Sequence, residues 1–210
     1  MLGILVLGAL GAGAWWFFLR PGAPIAIGQE EHPVADFSFD LSKVNGTAPG
    51  GAVSGDGVDD AAEDIRETLD ALYVAGYIDP SKWEGGTFPE VLEQFDEAAA
   101  ERASAGLDQF TLGDQAEQVA FVEPVVGVLK IRVLFDAETD PVGAVATTRF
   151  VADGQLDRGG PMHVIHRGTY YLSPQGGSWR IGGYDVAGAV ASGPRLTGPG
   201  AAQPEPGPSS

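Results

Sequence analysis

Two runs near the end of the chain, Met162–Leu172 and Ser178–Val186, each alternate apolar with polar residues, and only Ser173, Pro174, Gln175, Gly176 and Gly177 separate them. A β-hairpin is the short-range structure that explains two period-two runs joined by such a turn. The rest of the chain is read around this hairpin.

The 210 residues include an apolar head and a Gly/Pro-rich tail, leaving one domain's worth of chain for a packed core. There is no cysteine, so disulfides, thiolate metal sites and a cysteine nucleophile are excluded. Any chemistry must come from oxygen and nitrogen groups. The formal net charge of -17 makes the surface repel phosphate backbones and argues against nucleic acid as a partner. The acidity is concentrated in residues 30–116, while residues 117–187 are close to balanced. This is the pattern of a solvated, solubilising helix face.

Residues 2–19, LGILVLGALGAGAWWFFL, carry no charge, and a helix of that length spans about 27 Å, enough to cross a bilayer core once. Trp15, Trp16, Phe17 and Phe18, followed by Arg20 and Pro21, fit an interfacial aromatic belt with its stop. A signal peptide cut after Ala12-Gly13-Ala14 is the alternative. A retained anchor is favoured, because no basic segment precedes the apolar run and cleavage would leave the aromatic quartet as a new amino terminus. Taken literally, Arg20 points the domain to the cytoplasm.

The expected organisation is an anchor over 1–20, a spacer over 21–57 with one edge-strand-like segment, an α+β domain over 58–187 and a disordered tail over 188–210. In the spacer, Phe37, Phe39 and Leu41 alternate with Ser38, Asp40 and Ser42 as in a half-buried strand. Residues 45–57, NGTAPGGAVSGDG, have the composition of a flexible connector. A first helix is predicted over 59–75, with Ala62, Ile65, Leu69, Leu72 and Tyr73 as its apolar stripe, Asp60 and Glu63 as a capping box and Gly76 as its stop. A second is predicted over 87–105, capped by Thr87 with Glu90 replying. Asp56 to Asp60 lacks the spacing and terminal glutamate of a calcium loop and is read as helix capping; no metal and no cofactor is expected.

Two short amphipathic helices need a wide apolar surface to cover, and the following strands supply it. Residues 118–135 are too β-branched for a helix and are interrupted by Pro124, as in a bent or bulged strand. Val125, Leu129, Ile131, Val133 and Phe135 share one face and Lys130 and Arg132 the other. A further strand over 142–152 leads to the final hairpin. The fold class expected is α+β: two or three N-terminal helices on a curved antiparallel sheet of about four strands, preceded by one transmembrane helix.

Helices first, then antiparallel strands ending in WRIGGYDV, with DPSKWEGGTFPEVL between the helices and HRGTYYLSPQGGSWRIGGYDV as the hairpin, resembles the nuclear transport factor two-like superfamily. The likeness covers residues 59–185 and is to its single-span, envelope-associated actinobacterial proteins. It implies a cone-shaped roll, a domain outside the cytoplasmic membrane and pairing of two copies through their sheets. The enzymes of that superfamily work with a His, Asp or Tyr inside the cone. That makes His163, His166 and Asp185 the candidate catalytic groups, and Tyr73, Trp83, Phe88, Phe95 and Tyr170 the candidate pocket lining.

His163 and His166 are not a metal pair, because an offset of three in a strand puts them on opposite faces. Arg132, Arg149, Arg167 and Arg180 come from four successive strands and are read as a basic stripe able to meet an anionic ligand or the acidic helices of a neighbour. The expected function is a membrane-anchored, non-enzymatic interaction or scaffolding module of the bacterial cell envelope, with an envelope protein as partner. The alternative is a pocket for a small apolar molecule, lipid-like or polyketide-like, of binding or isomerase/cyclase type.

Overall fold

A computed structural model describes residues 34–83 and 87–193. The expected anchor at 2–19 and most of the expected tail lie outside the described residues. Among those described, no helix is long and apolar enough to cross a membrane.

The chain runs β1 (Asp40–Ala48), β2 (Gly51–Val53), α1 (Asp56–Tyr73), a π-helical turn (Val74–Ile78) and a 3-10 turn (Pro80–Lys82). It continues with α2 (Pro89–Leu92), α3 (Glu97–Ser104), two further 3-10 turns (Leu107–Gln109 and Gly113–Gln118) and four long strands. These are β3 (Val119–Phe135), β4 (Pro141–Leu156), β5 (Pro161–Gln175) and β6 (Ser178–Ser192).

The expected antiparallel sheet of about four strands is corrected to a mixed sheet of six, in the order β2-β1-β3-β4-β5-β6. β3 to β6 form an antiparallel meander, while β1 lies parallel to β3 and carries β2 on its far side. β1 is thus not an edge strand, and residues 45–57 are not a loose connector. Gly46 shows why composition misleads here: a Cβ on it would sit 2.6 Å from the Val53 carbonyl oxygen and 2.7 Å from the Val58 side chain. The glycine serves close packing of β1 on β2 and α1.

α1 buries Val58, Ala61, Ala62, Ile65, Leu69 and Leu72 against the inner face of the sheet, where Leu129, Ile131, Val133, Ala146 and Phe150 are also buried. Each Val, Leu, Ile and Phe among them contributes about 1.5–3 kcal/mol relative to leaving it in water. The helix begins earlier than predicted, after Gly55, and makes no side-chain cap. Asp56 and Asp59 instead place negative charge at the positive end of its dipole. Asp70 holds the segment before β1, accepting from the Phe39 amide at 2.9 Å and from the Ser38 hydroxyl at 2.7 Å. Burial nonetheless pushes its carboxyl above the ordinary range.

The predicted second helix is two. Phe95 sits between α2 and α3 and forms a lone parallel bridge with Ile181, with Ile181 N–H donating to the Gln94 carbonyl and Asp96 N–H to the Ile181 carbonyl. These bonds to the sheet replace helical ones. Asp96 then caps α3, accepting from Ala99 N–H at 2.7 Å. At the other end of α1, Gly76 admits the Phe110 carbonyl oxygen, which would lie 2.1 Å from any Cβ placed there. β6 also continues six residues past Val186. Its Ala/Gly run is held by backbone pairing to β5 out to Met162↔Ser192, which does not depend on apolar mass.

Candidate functional site

Strand alternation sorts the predicted site residues onto two faces. On β5, Met162, Val164, His166, Gly168, Tyr170 and Leu172 point into the core, while His163, Ile165, Arg167 and Tyr171 lie on the outer face. The two histidines are therefore separated by the sheet.

Inside, α1 ends with Tyr73 directly over the sheet. Its hydroxyl lies 2.7 Å from Thr148 Oγ1, 2.7 Å from His166 Nδ1 and 3.2 Å from the Tyr170 hydroxyl. His166 Nε2 lies 3.0 Å from the Gln109 carbonyl oxygen. A carbonyl only accepts, so Nε2 carries the proton and Nδ1 accepts from Tyr73. The Gln109 carbonyl also accepts from the Tyr77 hydroxyl at 3.0 Å. Both His166 nitrogens and the Tyr73 hydroxyl are thereby satisfied.

The electrostatics of this cluster run away from neutrality in both directions. Burial pushes the His166 imidazole down to about 4 and pushes the hydroxyls of Tyr73, Tyr77 and Tyr170 upward. At pH 7 every member is neutral, whereas a general acid or base works best near the operating pH. A cleft of about 140 Å³ touches His166 beside Gly188 and Gln109. Asp185 does not reach the cluster; it is exposed on β6, paired in register with Thr169. His163 instead bonds Asp153 across the β4–β5 pair, Nδ1 to Oδ1 at 2.7 Å. The three catalytic candidates do not converge.

The aromatic candidates are packed. Tyr73, Trp83, Phe88, Phe95 and Tyr170 are all buried. Trp83 Nε1–H donates to the Ala75 carbonyl at 2.9 Å, and Phe95 stands edge-on to Phe110 with ring centroids 5.2 Å apart. Among the described residues no group of three or more His, Asp or Glu is placed to hold a metal ion.

The outer face is different in kind. Arg132, Arg149 and Arg167 lie exposed on β3, β4 and β5, with Arg149 and Arg167 in direct cross-strand register. Comparison with protein-family models, curated proteins and solved structures finds no match to this chain. The site must therefore be read from its own geometry. Arg180 does not join the stripe: it pairs with Ser173 near the start of β6, and its guanidinium donates to the Glu93 carbonyl at the sheet edge. Lys43 and Lys130 take its place: they are exposed and adjacent in the parallel β1–β3 register, with Lys130 two residues from Arg132.

The result is a contiguous group of five cations on one face. None of Lys43, Lys130, Arg132, Arg149 and Arg167 makes an ion pair or a side-chain hydrogen bond among the described residues. Asp40 and Asp185 flank the group on β1 and β6, outside ion-pair distance. Apolar side chains are interleaved: Tyr171 is 51% exposed, Ile165 50% and Leu134 38%. Alternation in the sequence already put Lys130 beside Arg132. Lys43 had no local signal, because a parallel pairing to a strand more than eighty residues away leaves none.

Proposed function

We propose that the protein is a non-enzymatic interaction module that docks an acidic protein partner on the outer face of its sheet. The observation that carries this is the group of five unneutralised cations, set among exposed apolar side chains, on a chain whose formal net charge is -17. Like charges in direct cross-strand register destabilise a sheet. Here two such pairs, Lys43 with Lys130 and Arg149 with Arg167, stand side by side although the chain holds 29 acidic residues. An anion supplied from outside relieves that repulsion.

Charge also chooses among occupants. A second copy docked sheet to sheet would set these cations against their own kind, so the acidic surface of another protein is the better match. Membrane attachment through residues 2–19 and a place in the cell envelope belong to this reading on sequence grounds alone. So does the likeness to the nuclear transport factor two-like roll. The rival reading, a pocket for a small apolar molecule, draws less support from an interior whose aromatic rings and hydroxyls are partnered with one another.

The test is fluorescence anisotropy of a labelled peptide of alternating Glu and Leu against the full-length chain. The expected result is saturable binding that weakens with added salt and is lost when Arg149 and Arg167 are both changed to Glu. Equal binding by that variant would remove the reading.

A further inference from the structure

Between β1, β3 and β4 the outer face is not flat. Lys43, Asn45, Lys130, Arg132, Val145 and Thr147 surround a concavity of about 290 Å³. The hollow is open to solvent on one side and large enough to receive one tetrahedral oxyanion with its stem. Three cations from two strands line it, and a neutral amide on β1 and a hydroxyl on β4 flank them as further donors. All of these side chains sit on paired strands, Lys43 just after a register shift in β1, so their spacing is set by backbone pairing.

We infer that this concavity is a seat for a phosphate monoester carried by the partner, a deeper reading of the same face that rests on the function proposed above. The ligand class follows from charge and donor count. A carboxylate brings one negative charge and two acceptor atoms to a site with three positive charges. A phosphate monoester brings close to two negative charges at neutral pH and three acceptor oxygens. Lysine ammonium groups suit it as point charges, and the Arg132 guanidinium can engage two of its oxygens at once. Asn45 and Thr147 can donate to the remaining lone pairs without adding charge. Val145 gives the stem of the phosphorylated residue an apolar wall. The distal pair Arg149 and Arg167 then faces whatever acidic residues flank the phosphorylated position.

The global charge does not oppose a ligand of this size. At physiological salt, fields from the acidic helices are screened beyond roughly 8 Å, while cations at the seat act at contact distance. A long polyanion would meet that repulsion along its length; a single phosphoryl group on a short segment does not.

Two labelled acidic peptides of identical sequence, one with serine and one with phosphoserine at the centre, are titrated with the full-length chain at 0.15 M salt. The phosphoserine peptide is expected to bind at least tenfold tighter. Inorganic phosphate is expected to displace it at concentrations where chloride of equal ionic strength does not. Changing Lys43 and Lys130 together to Gln should abolish the preference, while changing Arg149 and Arg167 to Gln should weaken both peptides alike. Thermal unfolding of each variant, unchanged within a few degrees, confirms that the fold persists. Equal affinities for the two peptides would overturn the phosphate seat and leave the acidic-partner reading standing. Binding of neither peptide would overturn both.

Discussion

Arg149 on β4 and Arg167 on β5 are direct cross-strand partners on the outer face, and among the described residues neither meets a carboxylate within ion-pair distance. In an isolated sheet such a pair costs about 0.2–1 kcal/mol, and salt screens it. If the face is kept for binding, neutralising one member should stabilise the unbound protein. Arg149→Thr is expected to raise the unfolding free energy by up to about 1 kcal/mol at low salt, with the gain shrinking at 0.5 M salt. Urea denaturation at both salt concentrations checks this, and a loss of stability at low salt would argue that Arg149 has a structural partner.

The interior histidine gives a pH signature with a definite sign. His166 sits at about 4 in the folded protein against an ordinary value near 6.5. Between those values the unfolded chain binds a proton that the folded chain does not, so stability falls as pH falls through that window. The linkage amounts to about 2 kcal/mol lost between pH 7.5 and pH 5. In His166→Gln that part of the pH dependence should disappear. Carboxylates such as Asp70 titrate identically in both proteins and cancel in the comparison.

Tyr73 is the hub of the buried cluster, and its hydroxyl has three neighbours. Tyr73→Phe strands His166 Nδ1 without a donor in a buried site, at an expected cost of about 1–3 kcal/mol. Tyr170→Phe removes a peripheral hydroxyl whose bond to Tyr73 is longer, at 3.2 Å, and should cost about 1 kcal/mol. Equal losses in the two variants would contradict the hierarchy.

Two glycines separate close packing from flexibility. Gly76→Ala forces a Cβ onto the Phe110 carbonyl oxygen and should cost about 3 kcal/mol or more. Gly57, inside the first turn of α1 with open space around it, should gain about 0.5–1 kcal/mol as alanine. Thermal unfolding of the two variants side by side reads the contrast.

What was legible in the sequence follows from the range of the interactions. β3 to β6 announce themselves by alternation, because each buries one face against a single core. The apolar stripe of α1 is legible for the same reason. The start of β1 was legible in the alternation ending at Leu41 and Ser42, but its second half and β2 were hidden, since their glycines read as flexibility in the sequence while Gly46 marks a close backbone approach in the structure. The parallel union of β1 with β3 has no local signature, and neither does the meeting of Tyr73, Thr148 and His166 from α1, β4 and β5. The basic stripe was partly legible. Arg132, Arg149 and Arg167 follow from alternation, but no local signal shows that Arg180, beside Ser173 near the start of β6, is drawn to the Glu93 carbonyl.

Amide chemical-shift mapping of the full-length chain during titration with the acidic Glu/Leu peptide tests most directly whether the outer face of the sheet is the docking surface. Docking on the outer face predicts perturbations clustered at Lys43, Lys130, Arg132, Arg149, Arg167 and Tyr171, with the amides around Tyr73 and His166 unmoved. Perturbations centred instead on α1, α3 or the cleft beside His166 would contradict it.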